Sequence, residues 1–212
     1  MNKSEFEQIY WKYYINLEND FLNTEKYVSI DKDNQKTFSI EYMKILQMVC
    51  AEIDMVSKNF CATIDQQHKG DTLPHYCKTI TNQYSDFTSE QIRFILGNID
   101  LCPWDGWVYH DVVDKNGRQR VTGESPDWWK DHNNIKHKRT LSTSGIVNYK
   151  KANQINVIHA LAALFQMEMY FYNFLSNAEQ EKQLIPFPKS KMFSIPRWTD
   201  SVVSGEEVLL IL

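Results

Sequence analysis

Glycine and proline are scarce in this chain. There are 7 glycines and 6 prolines in 212 residues, which is 13 of 212, or 6%, against about 12% in average proteins. The deficit excludes a collagen-like, linker-rich or Gly/Ser low-complexity chain. It also leaves little material for a glycine-rich phosphate loop. Positive charge is not in excess either: 23 Lys and Arg against 27 Asp and Glu give a net charge of -4. A globally basic nucleic-acid footprint is excluded, while a local basic patch is not. The four cysteines, Cys50, Cys61, Cys77 and Cys102, are spaced by 11, 16 and 25 residues and match no CxxC zinc pattern. The N-terminal MNKSEFEQIYWKYY lacks the apolar core of a secretory signal. Free thiols, a cytoplasmic location and no membrane partner are therefore expected.

The chain is 42% hydrophobic, 13% aromatic and 24% charged, the balance of a globular domain. At this length one domain buries roughly 70% of its unfolded surface and needs no staples. Residues 4–22 read as a helix, with Ser4 and Glu7 as a capping box and Phe6, Ile9, Tyr10, Tyr13, Leu17 and Phe21 as its apolar stripe. A short strand at Tyr27–Ile30 is compatible with the pattern. Ser39 opens a stronger helix over 39–62, with Tyr42, Ile45, Leu46, Val49, Ile53, Val56 and Phe60 on one face. Glu52 lies at the edge of that stripe, where a carboxylate needs a partner. It either pairs with a nearby cation or orients a site. A further helix is compatible with the sequence after Thr72. In 91–101, Ile92, Phe94 and Leu96 alternate as in a strand, although Thr88 and Gln91 also form a capping-box pattern.

Residues 108–122 read as a β-hairpin around Asn116-Gly117, a dipeptide favoured in type I′ turns. Ser125 as N-cap, Pro126 and Asp127 then start a helix. The longest helix is expected over 147–176. It is apolar around much of its girth, but Gln154, Asn156, His159, Gln166 and Glu168 interrupt any membrane-length run. In the tail from Lys189, MFSIP and EEVLLIL look like strands, and the terminal apolar run needs a cover. The expectation is one domain over 1–212: mainly α, a helical bundle with a β-hairpin element at about 91–122 and a β-like tail at 189–212.

The densest polar constellation is Trp128 to Arg139. On a helix Asn133 and His137 share one face, and His132, Lys136 and Arg139 share another. Two imidazoles, an amide and the cations Lys136, Lys138 and Arg139 suit an anion such as phosphate. Trp128 and Trp129 either stack on a base or pack into the core. The same cluster is also what a solvated basic helix with a core tryptophan looks like. His68, His75, His110, His132, His137 and His159 form no HExxH or comparable ligand pair, so no metal site and no cofactor are expected. His159 reads as a satisfied core histidine.

SPDWWKDHNNIKHKR followed by ANQINVIHALAALFQMEMYFYNFL resembles a group of uncharacterised bacterial proteins, as does the upstream TFSIEYMKILQMVCAEID. Those proteins carry a paired-Trp, Asn-x-x-Lys-His-x-Arg segment ahead of a long Ala/Leu-rich helix. The pattern is similar, more distantly, to the HEPN superfamily of α-helical bundles. That resemblance implies a helical, often dimeric fold. It also implies either a metal-independent ribonuclease of a toxin–antitoxin or antiphage system, or an inactive member that binds RNA, nucleotide or protein. In a nuclease His137 would activate a ribose 2′-hydroxyl or protonate the leaving 5′-oxygen. Lys136 and Arg139 would stabilise the phosphate charge, Asn133 would position the scissile group, and Glu52 would orient His137 or Arg139. The chain departs from the family signature, because no Arg stands four to six residues ahead of His137. Either Arg139 replaces it from the next turn, or the site is a binding remnant. A catalytic site predicts Glu52, His137 and Arg139 within about 3–4 Å of one another or of a shared anion. The competing expectation is a non-catalytic module that self-associates as a homodimer. A nucleotide-cofactor enzyme is disfavoured, since there is neither a Gly-rich loop after a strand nor a G-x-S-x-G motif.

Overall fold

The computed structural model describes residues 1–179 and 185–198. The EEVLLIL run lies outside the described residues. Asn2 opens the chain's first helix: its side chain accepts the Glu5 N–H, and the Glu5 carboxylate accepts the Asn2 N–H, both at 2.9 Å. This reciprocal box sits two residues ahead of the Ser4–Glu7 pair expected from the sequence. The helix runs as α1 (Lys3–Phe6), one π turn (Glu7–Trp11) and α2 (Lys12–Asn23). A π turn winds its hydrogen bonds one residue wider than an α turn, and here the neighbours Tyr10 and Trp11 are both buried. No strand forms at Tyr27–Ile30. The Thr24 carbonyl takes both the Tyr27 and Val28 N–H groups, so neither is left for a ladder.

Ser39 caps α3 (Ile40–Ile64) as expected, accepting the Tyr42 N–H at 3.0 Å. The stripe from Tyr42 to Phe60 is buried. After Thr72 comes α4 (Leu73–Gln83), with Pro74 in its first turn. Next, β1 (Ile92–Phe94) pairs antiparallel with β2 (Ile99–Leu101). The hairpin of β3 (Val108–Val113) and β4 (Gln119–Glu124) follows. Its turn is not type I′. Gly117 has φ 75° and Asn116 does not share the left-handed region, whereas type I′ needs both. The Asp114 carboxylate decides the geometry by accepting the Asn116 and Arg118 N–H groups at 2.8 and 3.0 Å. The two-residue turn with both central φ values positive occurs elsewhere. Ser144 (54°) and Gly145 (79°) join β5 (Ser142–Thr143) to β6 (Ile146–Val147).

Between the hairpins lies α5 (Asp127–Lys138). Its N-cap is Pro126, in extended geometry with no side-chain cap bond, one residue later than the expected Ser125. The long helix α6 (Gln154–Ala178) begins seven residues after the expected 147, because Asn153 supplies its cap to the Asn156 N–H at 3.1 Å. Residues 148–151 form a separate 3-10 turn. From Val157 to Tyr172 every residue of α6 except His159 is buried, which marks a helix at the centre of the core. Phe171 stacks on Phe60 of α3 at 4.8 Å, and Trp104 donates to the Ala163 carbonyl at 3.2 Å.

The segment 185–198 is a strap across the N-terminal helix. It adds β7 (Phe193–Ser194) to β1, giving the sheet order β2-β1-β7. The buried Glu18 carboxylate holds the strap. It accepts the Tyr14 hydroxyl at 3.0 Å, the Lys191 and Met192 N–H groups at 3.0 and 3.1 Å, and the Ser190 hydroxyl. Farther along, Arg197 pairs with Asp86 at 2.7 Å and with Glu90. The fold is mainly helical with a few small sheets. Among the described residues no helix is long and apolar enough to cross a membrane.

Candidate functional site

The inner face of α5 carries Trp128, His132 and Ile135, all buried. Trp128 packs edge-on against Trp104 at 5.6 Å, and its indole N–H donates to the Pro103 carbonyl at 2.6 Å. It is a core residue and presents no free surface for stacking a base at the exposed end of the helix. Trp129 is half-buried, edge-on to Trp128 at 5.7 Å and 5.5 Å from the His132 ring. His132 is 6% exposed, and its Nδ1 has no partner among the described residues. Burial, then the Lys136 and His137 charges, lower its pKa to about 4. It is therefore a neutral interior imidazole and not an outward ligand.

The outer end of α5 has the opposite character. Lys136, His137 and Lys138 occupy its last turn, Arg139 caps it, and all four are exposed. Cations here complement the negative end of the helix dipole. The helix end is locked to the 148–151 turn. The Asn148 side chain donates to the Lys138 carbonyl at 2.8 Å, and the Tyr149 N–H donates to the Arg139 carbonyl at 3.2 Å. Those bonds bring two exposed rings alongside the cations. Tyr149 meets Phe38 edge-on at 5.6 Å, and the Lys150 ammonium lies 5.6 Å from the Phe38 ring centre. The Phe38 end is tied in by the Gln154 N–H bonding the Thr37 carbonyl at 3.0 Å. Arg139 and Lys150 therefore lie near Phe38 and Tyr149, while Lys136, His137 and Lys138 fan around the exposed last turn of α5. Asn133 is half-buried higher on the helix.

Behind this surface lies a firmer network. Asp131 accepts Lys151 Nζ at 2.6 Å and Asn156 Nδ2 at 3.1 Å, so it joins α5 to the start of α6.

Glu52 belongs to other company. Its charge acts on Tyr10, Tyr13 and Glu168. Burial raises its own pKa to about 6. Cys50, two residues earlier and so about 200° away around α3, feels the Lys136 charge instead. Among the described residues no hydrogen bond, ion pair or electrostatic contact joins Glu52 to His137 or Arg139. The expected meeting of Glu52, His137 and Arg139 therefore has no contact to carry it. Lys136, His137 and His132 do share one electrostatic neighbourhood. All four cysteines are free thiols. Among the described residues no group of three or more His, Cys, Asp or Glu side chains could hold a metal ion.

Sequence reasoning missed Phe38, Tyr149 and Lys150 as neighbours of the basic segment. Nothing local in the sequence signals this, since tertiary hydrogen bonds bring them there. It also missed that His159, in the interior-facing part of α6, has no hydrogen-bond partner among the described residues. No protein-family model matches the chain, and neither the curated proteins nor the solved structures contain a match to it.

Proposed function

We propose that this chain is an HEPN-like helical bundle that binds single-stranded RNA through the outer end of α5, and binds it without cleaving it. One observation carries the reading: Lys136, Lys138, Arg139 and Lys150 are exposed, and none is in an ion pair among the described residues. Of these, Lys150 lies against the Phe38–Tyr149 ring pair, and Arg139 is joined to it by the Tyr149 N–H. Cations that track phosphates, together with rings on which bases stack, are the two components of single-strand binding surfaces. The net charge of -4 does not oppose this, because binding depends on the local patch. The binding role is favoured over catalysis by the surroundings of His137. A cleaving histidine needs a group that orients it, and among the described residues no carboxylate is hydrogen-bonded to it.

The test is fluorescence anisotropy with single-stranded oligouridine, comparing wild type with Lys138→Glu/Arg139→Glu. Both positions are exposed, and circular dichroism checks that the fold is kept. The double reversal is expected to weaken binding at least about tenfold. Unchanged affinity overturns the proposal. Cleavage by wild type that is lost in His137→Ala would restore the ribonuclease reading.

Self-association is a second reading, favoured by α3. Ile40, Met48, Ala51 and Met55 are exposed on one face of α3, with Ile40 at 75% and Met55 at 53% exposure, and the ion-paired Lys44 sits among them. A stable homodimer on this face would bury more than about 1,000 Å² in total. Light scattering on the eluted protein distinguishes dimer from monomer.

A further inference from the structure

A cavity of about 340 Å³ lies along one face of α4, between the segment 64–69 and β4. Thr79, Asn82 and Gln83 line it from the helix, His68 lines it from the preceding loop, and Ile64 and Val121 add apolar wall. Three groups here stand in a hydrogen-bonded line. Thr79 Oγ1 is 2.9 Å from His68 Nδ1, and His68 Nε2 is 3.0 Å from the Gly70 carbonyl oxygen. A carbonyl oxygen can only accept, so Nε2 carries the hydrogen. In the neutral ring Nδ1 is then the acceptor, and the Thr79 hydroxyl donates to it.

A threonine inside a helix commonly donates to the carbonyl four residues back. Thr63 and Thr81 do so at 2.8 and 2.7 Å, whereas Thr79 turns its hydroxyl to the imidazole. The imidazole is itself held. Its ring stacks on the buried Tyr76 at 6.1 Å. Asp65 folds the loop that carries it, accepting the Gln67 N–H on its carboxylate and the His68 N–H on its carbonyl, each at 2.9 Å. Gly70 has φ 102°, and a Cβ there would meet the His75 ring at 2.5 Å, so this closure of the loop onto α4 requires glycine. The Cys61 thiol is also within hydrogen-bonding reach of Thr79, but burial pushes it up to about 12, so it stays protonated and takes no proton from the hydroxyl. Asn82 follows Thr79 by three residues on the same face of α4. Its amide oxygen accepts the Tyr109 hydroxyl at 3.3 Å, and its N–H groups have no partner among the described residues.

A hydroxyl bonded to an imidazole whose other nitrogen is fixed by a third group is the arrangement of an activated nucleophile. We propose that this cavity is an acyl-transfer site that hydrolyses a short-chain ester, with Thr79 as nucleophile and His68 as general base. The Thr79 oxygen bonds to the ester carbonyl carbon while its proton passes to His68 Nδ1. The Gly70 carbonyl steadies the resulting imidazolium through Nε2–H, and the Asn82 amide donates to the oxyanion. The bond to the leaving alkoxide breaks, and Nδ1–H protonates it to the alcohol. Water, giving its proton to Nδ1, then cleaves the acyl-Thr79 ester to the carboxylic acid and restores the hydroxyl. The volume, at the lower end of small-ligand sites, limits the substrate to short chains. The site shares no residue with the α5 surface and is independent of the RNA reading.

The experiment treats the full chain with a fluorophosphonate probe, which phosphonylates activated hydroxyls and releases fluoride, and maps the labelled residue by mass spectrometry. Turnover of p-nitrophenyl acetate is measured in parallel. The expected result is a label on Thr79 and saturable turnover. Thr79→Val, similar in shape, should lose the label and lower turnover at least about hundredfold, His68→Gln should slow labelling by a similar factor, and Thr79→Ser should retain both activities. Thr81→Val, which removes a hydroxyl back-bonded to the helix, should label as wild type does. Circular dichroism checks that each variant keeps the fold, and the mapping in wild type needs no variant. Absence of labelling, labelling at a residue other than Thr79, or turnover unchanged in Thr79→Val overturns the proposal.

Discussion

Replacing Glu168 with glutamine should change how stability depends on pH. Glu168 is fully buried in α6, and among the described residues neither carboxyl oxygen has a hydrogen-bond partner. Burial first, and the nearby Glu52 charge second, raise its pKa well above the ordinary 4.5. The folded chain then keeps a proton that the unfolded chain has released. Below pH 4.5 both states are protonated and the full stability is present. As pH rises toward the folded value, stability falls by up to about 1.4 kcal/mol per pH unit. Glu52 adds a smaller loss over its own window, from 4.5 to about 6. That interval of about 1.5 units corresponds to about 2 kcal/mol, reduced to about 1 kcal/mol because the side chain is partly exposed to screening solvent.

Urea unfolding between about pH 4.5 and 7 measures the effect. Glu168→Gln should gain on wild type steadily as pH rises. Glu168→Met removes the unpaired polar atoms as well, and should be more stable than wild type at neutral pH by about 1–3 kcal/mol. Parallel stability curves for wild type and Glu168→Gln across this range would refute the reasoning.

Three further outcomes follow from the packing. Glu18→Ala leaves the Lys191 N–H without its acceptor and the Met192 N–H with only the Ser190 hydroxyl, and should destabilise by about 3 kcal/mol; limited proteolysis should then cut within 185–198. Trp128→Ala empties a buried site among Trp104, Trp129 and Pro103, and should destabilise by about 3–5 kcal/mol, read from the denaturant midpoint. Gly145→Val forces a β-branched residue to φ 79° and should destabilise by about 1–2 kcal/mol in thermal melts, while the exposed site makes no new clash.

The long helices were legible because their signals are local. Ser39 and the stripe from Tyr42 to Phe60 mark α3, and the unbroken apolar girth marks α6 as central. Boundaries failed where two local signals competed. Asn153, six residues beyond the expected start, caps α6 because Val147 and Asn148 are already committed to β6 and to the Lys138 and Leu141 carbonyls. Asn116-Gly117 would favour a type I′ turn, but the Asp114 carboxylate captures the turn amides first. The Ser144-Gly145 turn carried a readable dipeptide signal. The candidate site was half legible. The Lys136–Arg139 run is contiguous, while Phe38, Tyr149 and Lys150 join it only through long-range backbone bonds. Glu52 sat at a helix edge with two possible neighbours, and only packing decides that it faces Tyr10 and Glu168.

The salt dependence of RNA binding tests the central claim most directly. Lys136, Lys138 and Arg139 at the end of α5 and Lys150 in the following turn, none in an ion pair among the described residues, predict with single-stranded RNA that log affinity falls with log salt with a slope of about -3. Lys138→Glu/Arg139→Glu should reduce that slope by about half or more. A slope near zero in wild type, or the same slope in both proteins, would contradict the account.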